Sequence, residues 1–268
     1  MIIIFESSVK EVGNRMLKIS AIIPAKNEEK MIAGAIKSLL WCDEIIVVDN
    51  GSTDDTITIA KKMGAKVIEC ESKEIDFSKP RNMGAKEASG DWLLYVDADE
   101  RATEELRVEI EKAIESSVLN AYSLPRQNNF LGHDMRYGGW WPDRVMRLIR
   151  KESLTRWEGK LHEQPVIKGD KGELATPLYH ITHRSLSEMI EKTNKWSVVE
   201  AKLLFESNHP PMTWWRFLSA GFREFWFRGI RKLGFLDGPV GIIEIFFQTF
   251  SRMITYAKLW EMQIQKNK

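Results

Sequence analysis

A chain of 268 residues that is 43% hydrophobic and 29% charged has ordinary globular composition, with room for one large α/β domain and an appendage. Its 39 basic and 38 acidic residues nearly cancel, which excludes a globally basic nucleic-acid binder, and no run reaches the ~18 uninterrupted apolar residues of a membrane span. Two cysteines, Cys42 and Cys70, show neither metal spacing nor a framework of pairs, which fits a reducing, cytoplasmic setting.

The opening Met1-Ile2-Ile3-Ile4-Phe5 is too short for a secretory leader and lacks its basic flank. Met16-Leu17-Lys18-Ile19-Ser20 reads as an alternative start, leaving residues 1–15 as an N-terminal extension. Residues 19–23 read as the first strand. The loop Pro24-Ala25-Lys26-Asn27-Glu28-Glu29 follows, then an amphipathic helix through Ile32, Ile36, Leu39 and Leu40. Residues 44–49 form the second strand, and the polar turn Asp49-Asn50-Gly51-Ser52-Thr53-Asp54-Asp55 caps a helix over 55–63. A short strand over 66–70, a helix over 80–88 ended by Gly90 and a strand over 92–97 continue the alternation. This pattern predicts a parallel sheet covered on both faces with right-handed crossovers. Neither G-x-G-x-x-G nor G-x-x-x-x-G-K follows the first strand, so a standard dinucleotide fold and a P-loop are excluded.

The fourth strand is the centre of the pattern. Its apolar run Trp92-Leu93-Leu94-Tyr95-Val96 stops abruptly on Asp97-Ala98-Asp99-Glu100, at the carboxyl edge where open α/β sheets bind ligands. Two aspartates separated by one small residue can converge on a hard cation, with Ala98 leaving room for a diphosphate. The same acids would also serve as N-terminal caps for a helix beginning near Thr103.

Beyond it, the sequence predicts a helix over 103–116 and strands over 121–126 and 144–149. Between those strands, residues 132–142, rich in Gly and Trp, form a loop over the cleft. Trp140 and Trp141 suit either a core or a sugar-stacking platform. The segment Trp157-Glu158-Gly159-Lys160-Leu161-His162-Glu163 can carry a carboxylate toward the site, and residues 185–205 are helical. His162, His180 and His183 match no regular zinc spacing. His209-Pro210-Pro211 breaks the chain, dividing it into 16–205 and a helical appendage at 206–268. Over 213–233, Trp215, Leu218, Phe222, Trp226 and Leu233 share one helix face. Phe217 and Phe227 fall among Arg216, Arg223 and Arg231, a combination suited to a membrane surface. A second helix shows Ile243, Phe247, Phe250, Ile254 and Ala257 as a packing stripe.

Taken together, Pro24-Ala25-x-Asn27-Glu28, the strand ending in Asp49 with Gly51-Ser52-Thr53-Asp54-x-Thr56, Arg81-Asn82 and Asp97-Ala98-Asp99 resemble glycosyltransferase family 2. These are inverting nucleotide-sugar enzymes of the GT-A fold, a mostly parallel central sheet flanked by helices, here with the helical appendage at the C-terminus. The match is best over residues 17–100. Trp141-Pro142-Asp143 to Arg147-Leu148, Leu161-His162-Glu163, His180 and Gly234-Phe235-Leu236-Asp237-Gly238 resemble the subgroup that includes lipopolysaccharide-core β-glucosyltransferases. The resemblance implies a nucleotide-sugar site at Pro24, Ala25, Asn27, Glu28, Asp49, Ser52, Arg81, Asp97 and Ala98. It also implies Mg²⁺ or Mn²⁺ on Asp97, Asp99 and His180.

A divalent ion would neutralise the charge of the departing diphosphate. The acceptor hydroxyl is too weak an acid to ionise at neutral pH, so a carboxylate must take its proton; Glu163 is the candidate base, with Asp143 and Glu158 as rivals. No clear Glu-Asp or Gln-x-x-Arg-Trp signature is present. The expected partners are a UDP-sugar donor, a lipid-linked saccharide acceptor and the inner face of the cytoplasmic membrane, with no nucleic acid. A polyprenyl-phosphate sugar synthase and a non-catalytic sugar-binding or membrane-docking module are the alternatives.

Overall fold

The computed structural model describes residues 17–70, 76–115 and 118–266, and the 1–15 extension lies outside them. Its first half alternates β1 (Ile19–Ala25), α1 (Ile32–Ser38), β2 (Glu44–Asp49), α2 (Thr56–Lys62), β3 (Lys66–Glu69), α3 (Ser78–Glu87) and β4 (Trp92–Tyr95). β1 lies between β2 and β4 and runs parallel to both, with β3 outside β2. Ile22, Ile23, Val47, Val48, Leu93 and Leu94 are all fully buried, as expected of strands covered on both faces. One face packs on α1 and α2 through Ile32, Ile36 and Ala60. The other carries Ile22, Leu93 and Tyr95 beneath α3. Gly84 is what lets α3 settle on β1, since a Cβ there would collide with the Ile22 side chain.

The chain continues through β5 (Glu100–Arg101), α4 (Glu104–Glu115), β6 (Ala121–Phe130), β7 (His133–Asp134), β8 (Asp143–Arg150), β9 (Leu154–Glu158), β10 (Gln164–Ile167), β11 (Lys171–Glu173) and β12 (Leu178–Thr182). The main sheet runs β3-β2-β1-β4-β8-β6-β12-β5, with β8 antiparallel to both β4 and β6. It is therefore mixed, as a GT-A sheet flanked by helices should be. β4 ends at Tyr95 rather than at residue 97 because the chain turns at once: Asp97 N–H donates to Glu100 Oε2 at 2.9 Å and Glu100 N–H to Asp97 O at 2.9 Å. β6 runs on to Phe130, past the predicted end at 126. The polar run Arg126-Gln127-Asn128-Asn129 conceals strand in the sequence because these side chains are used in hydrogen bonds, to Asp143, Met135 O, His180 and Asp134, and not in apolar packing.

The remainder is helical: α5 (Leu186–Glu206), α6 (Trp214–Phe225) continued by π-helical residues Trp226–Arg231, a 3₁₀ turn at Gly234–Asp237, and α7 (Gly238–Lys266). The predicted break at 209–211 is present. Thr213 restarts the helix, its hydroxyl accepting from Arg216 N–H. Ala201 of α5, Met212 and Leu259 of α7 form one buried cluster, so helices on both sides of the 205/206 division pack together.

The helix faces differ from expectation. Trp215, Leu218, Phe222, Trp226 and Leu233 turn outward, and α6 instead approaches α7 through buried Ala220 and Gly221, with Met253 filling the space over the glycine. Small residues permit close helix contact, so the bulky stripe is left on the far side. Phe217, expected among exposed arginines, turns inward against Trp260 at 6.2 Å between rings, while Phe227 stays partly exposed. On α7 the buried positions are Gly241, Glu244, Ile245, Thr255 and Leu259, whereas Ile243 and Phe250 of the predicted packing stripe are exposed.

Candidate active site

Two loops at the carboxyl ends of β1 and β2 are laced together by side chains. Asn27 takes a left-handed conformation at φ 55, which asparagine tolerates better than most residues. Its N–H donates to Ser52 Oγ at 2.9 Å, Thr53 N–H donates to Asn27 Oδ1 at 2.8 Å, and Glu28 N–H donates to Thr56 Oγ1 at 2.8 Å. Pro24 and Ala25 close β1 beside Val48 and Asp49. Asp49 is buried, and its Oδ2 accepts from Gly51 N–H at 3.0 Å and Ser52 N–H at 2.9 Å. Asp49 Oδ1 and Glu28 Oε2 are buried without a hydrogen-bond partner among the described residues, two acceptor atoms left for a ligand. Burial, then the nearby Asp99 carboxylate, pushes the Glu28 pKa up to about 7.

The Asp97-Ala98-Asp99 turn sits next to these loops, with Ala98 buried. Arg81 bridges it to the far side of the cleft, Nη2 donating to Asp97 Oδ1 at 2.7 Å and Nε to Glu163 Oε1 at 2.8 Å. Its guanidinium lies over Trp157, 5.0 Å from the ring centroid, and Trp157 stacks edge-on against Tyr95 at 4.8 Å. Arg147 of β8 binds Asp97 Oδ2 and also donates to Glu100 Oε1 at 2.7 Å. Burial alone would raise the Asp97 pKa, but Arg147 and then Arg81 outweigh it and hold the carboxyl well below its ordinary value. Both Asp97 oxygens are thus held by guanidinium groups.

Asp99 is different. The antiparallel pairing of β12 with β5 sets His180 opposite Glu100, bringing His180 Nε2 to 3.4 Å from Asp99 Oδ2. The other ring nitrogen, Nδ1, donates to Asn128 Oδ1 at 2.7 Å, while burial lowers the His180 pKa less than the Asp99 carboxylate raises it, which favours a proton on Nε2 as well; a cation bound beside Asp99 would take the place of that proton. Burial raises the Asp99 pKa less than His180 lowers it, so the carboxylate stays ionised. One carboxylate oxygen and one imidazole nitrogen facing each other fit a single Mg²⁺ or Mn²⁺. Among the described residues no third His, Cys, Asp or Glu completes a cage, so substrate phosphate oxygens and water would supply the other positions.

Of the carboxylates proposed for proton transfer, Glu163 joins the site through Arg81 and its side chain is only 14% exposed. Asp143 accepts from Arg126 Nε at 2.9 Å and from Asn128 Nδ2 at 3.3 Å, one residue removed from His180. Glu158 pairs on the surface with Arg156 and takes no part. His162 leans toward Glu200 at 3.8 Å instead of orienting Glu163. Trp140 is packed between Phe130 and Arg228, leaving Trp141 as the exposed indole of the loop. That loop is pinned from the helical region, where Asp237 accepts from Tyr137 N–H at 2.8 Å and Arg136 N–H at 3.1 Å.

The sequence reading missed Arg147, Glu100 and Asn128 as members of the network. It also missed a stripe of α5 beginning just before its cap: Arg184, Glu188, Lys192, Trp196 and Glu200 recur every fourth residue, hence on one helix face. Lys192, Arg184 and Glu188 act electrostatically on Glu28, and Trp196 meets Phe77 edge-on at 6.1 Å. The four-residue repeat of charged residues, interrupted by Trp196, was the signal available for it.

Residues 20–163, which hold the whole arrangement except His180 and α5, match the family model described as Glycosyl transferase family 2. The chain belongs to that family. Over 272 residues it is 32% identical to the Rickettsia typhi protein named Uncharacterized glycosyltransferase RT0209, covering 93% of this chain and 89% of the relative. It is 27% identical to LpsC of Rhizobium meliloti, a lipopolysaccharide core biosynthesis glycosyltransferase, over 93% of this chain and 94% of LpsC. Among solved structures, Staphylococcus aureus TarS 1-349 in complex with UDP-GlcNAc is similar with a TM-score of 0.49 at 17% identity, covering 93% of this chain and 92% of that one. This family 2 glycosyltransferase thus moves sugar from a nucleotide sugar.

Proposed function

We propose that the protein transfers a sugar, with inversion, from a UDP-sugar to a hydroxyl of a lipid-linked saccharide such as a lipopolysaccharide core. The observation that carries the reading is Arg81, which holds the Asp97 end of the donor turn and the Glu163 carboxylate in one rigid group. The nucleoside lies in the Pro24, Ala25, Asn27, Glu28 and Ser52 loops. Asp49 Oδ1 accepts from the ring N–H that uracil carries and cytosine lacks; Glu28 Oε2 meets a ribose hydroxyl. Asp99 and His180 hold Mg²⁺ or Mn²⁺, which when bound neutralises diphosphate charge.

Glu163 is the general base. Arg81 fixes Oε1, and Oε2, which has no hydrogen bond among the described residues, takes the proton of the acceptor hydroxyl as it attacks the anomeric carbon from the face opposite the diphosphate. Displacement from that face turns an α-linked donor into a β-linked product. The acceptor class is supported by the name of the LpsC relative, and the free thiols of Cys42 and Cys70 agree with a cytoplasmic setting.

Thermal unfolding in the presence of uridine, guanosine and cytidine diphosphate sugars, each with Mn²⁺ and with chelator, tests the donor site, because a ligand that binds only the folded chain raises its melting temperature. The expected outcome is the largest rise with a UDP-sugar plus Mn²⁺, abolished in Asp99→Ala. Equal rises with metal and with chelator would remove the metal from the site.

A further inference from the structure

Large apolar side chains are concentrated on one outward surface of the helical region. Trp214, Trp215, Phe222 and Trp226 on α6 and its π-helical end, Leu236 in the 3₁₀ turn and Phe246 on α7 are each 50 to 66% exposed. Trp215, Phe222 and Trp226 share one side of α6 by helical period, and ring contacts join Trp214 to Trp215 at 5.3 Å, Phe222 to Trp226 at 6.2 Å and Phe225 to Phe246 across the two helices at 5.6 Å. At about 150–250 Å² per large side chain this leaves roughly 600–800 Å² of apolar surface in water, more than a soluble monomer ordinarily shows.

The charges around the patch select what covers it. Between residues 212 and 236 the sequence contains a single acid, Glu224, whose side chain is 14% exposed and bound to Arg228 at 2.6 Å. Arg216, Arg223, Arg231 and Lys232 are exposed on the same segment. A second copy of this chain meeting the patch about a two-fold axis would set these cations against themselves. Anionic lipid headgroups complement them, and tryptophan is at home where apolar chains meet water.

The depth follows from what lies behind the patch. Among the described residues no single helix is long and apolar enough to cross a membrane, although 214–231 and 234–266 pass that test as a pair bent by 68°. The inner side of that pair is occupied by protein: Glu244 is buried, and Leu259 shares a cluster with Ala201 of α5. Lipid can reach only the outer side.

We infer that the α6–α7 face docks in the plane of an anionic lipid surface, at the interface and without spanning it. The tie from the docking face to the active site is direct, since Asp237 in the 3₁₀ turn holds the backbone of the cleft loop at Arg136 and Tyr137, and Arg228 Nη1 donates to Gly138 O at 3.1 Å. A docked protein therefore has its cleft loop held at a set height above the headgroups. The inference rests on the proposed function only for the lipid-linked nature of the acceptor.

Co-sedimentation of the full chain with phosphatidylcholine vesicles, with and without phosphatidylglycerol, tests it with neither donor nor acceptor present. The expected results are sedimentation with the anionic vesicles, release by salt, at least a tenfold weaker partition for Trp215→Ser/Phe222→Ser, and about fivefold weaker partition for each of Arg223→Gln and Arg231→Gln. Because the substituted side chains face outward, melting temperature and donor hydrolysis should match the parent, which separates failure of docking from failure of the catalytic reading. A parent protein that stays in the supernatant with both vesicles at low salt would overturn the inference. So would a concentration-dependent dimer, seen by analytical ultracentrifugation, that dissociates in the Trp215→Ser/Phe222→Ser variant while vesicle binding is absent.

Discussion

Trp92, at the start of β4, is wholly buried between the Tyr122 ring and the Arg150 guanidinium, whereas Trp215 on α6 leaves 66% of its surface exposed. The contrast extends to both halves of the chain. In the sheet half most large apolar residues point inward, and Asp97, Glu100 and Glu163 are paired with the guanidinium groups of Arg81 and Arg147. In the helical half the inward positions include Ala220, Gly221, Gly241 and Glu244, and the bulky residues point out.

Substitution can break or sharpen that contrast. The largest effect on stability belongs to Trp92→Ala, expected to cost about 3–5 kcal/mol in urea denaturation because a fully buried indole leaves a cavity. Next in size is Glu163→Gln, which keeps the shape and the contact with Arg81 but cannot accept a proton. Turnover should fall about 10²–10⁴-fold with donor affinity nearly unchanged, and near-normal turnover together with an inactive Asp143→Asn would move the base to Asp143.

Asp49→Ala should raise donor KM about 10–100-fold, the worth of a charge-assisted hydrogen bond, with a smaller change in kcat. Isothermal calorimetry showing unchanged donor affinity would take Asp49 off the base. Glu28 carries a smaller, pH-dependent effect. Its pKa rises from 4.5 in the unfolded chain to about 7 in the folded protein, so the unfolded state loses its proton first. Stability contributed by the neutral carboxyl is present below 4.5, declines between the two values and stays lost above about 7. Glu28→Gln, which cannot ionise, should therefore melt higher than the parent above pH 7 and not below pH 4.5, as read by calorimetry. The smallest effect is Trp215→Ser, within about 0.5 kcal/mol of the parent in urea because the side chain packs against little protein. A large loss there would mean that the face is part of a core.

The β1 and β2 strands, the loop containing Asn27, the Asp49 turn and the acidic end of β4 were all legible in the sequence, because strand period, turn chemistry and a ligand-binding strand end are local properties of a few neighbouring residues. The partners of those residues were not. Asp97 looks like a metal ligand by its spacing from Asp99, and only the order of strands, which sets β8 beside β4, brings Arg147 to it from fifty residues away. The resemblance puts His180 with Asp99, but what brings them together is the pairing of β12 with β5, a two-residue strand too short to be read from the sequence. On α6 the period of 3.6 residues correctly grouped Trp215, Leu218, Phe222 and Trp226 on one face. Periodicity defines a face but not its surroundings, and it took the close approach allowed by Ala220 and Gly221 to decide that the aromatic face would look outward.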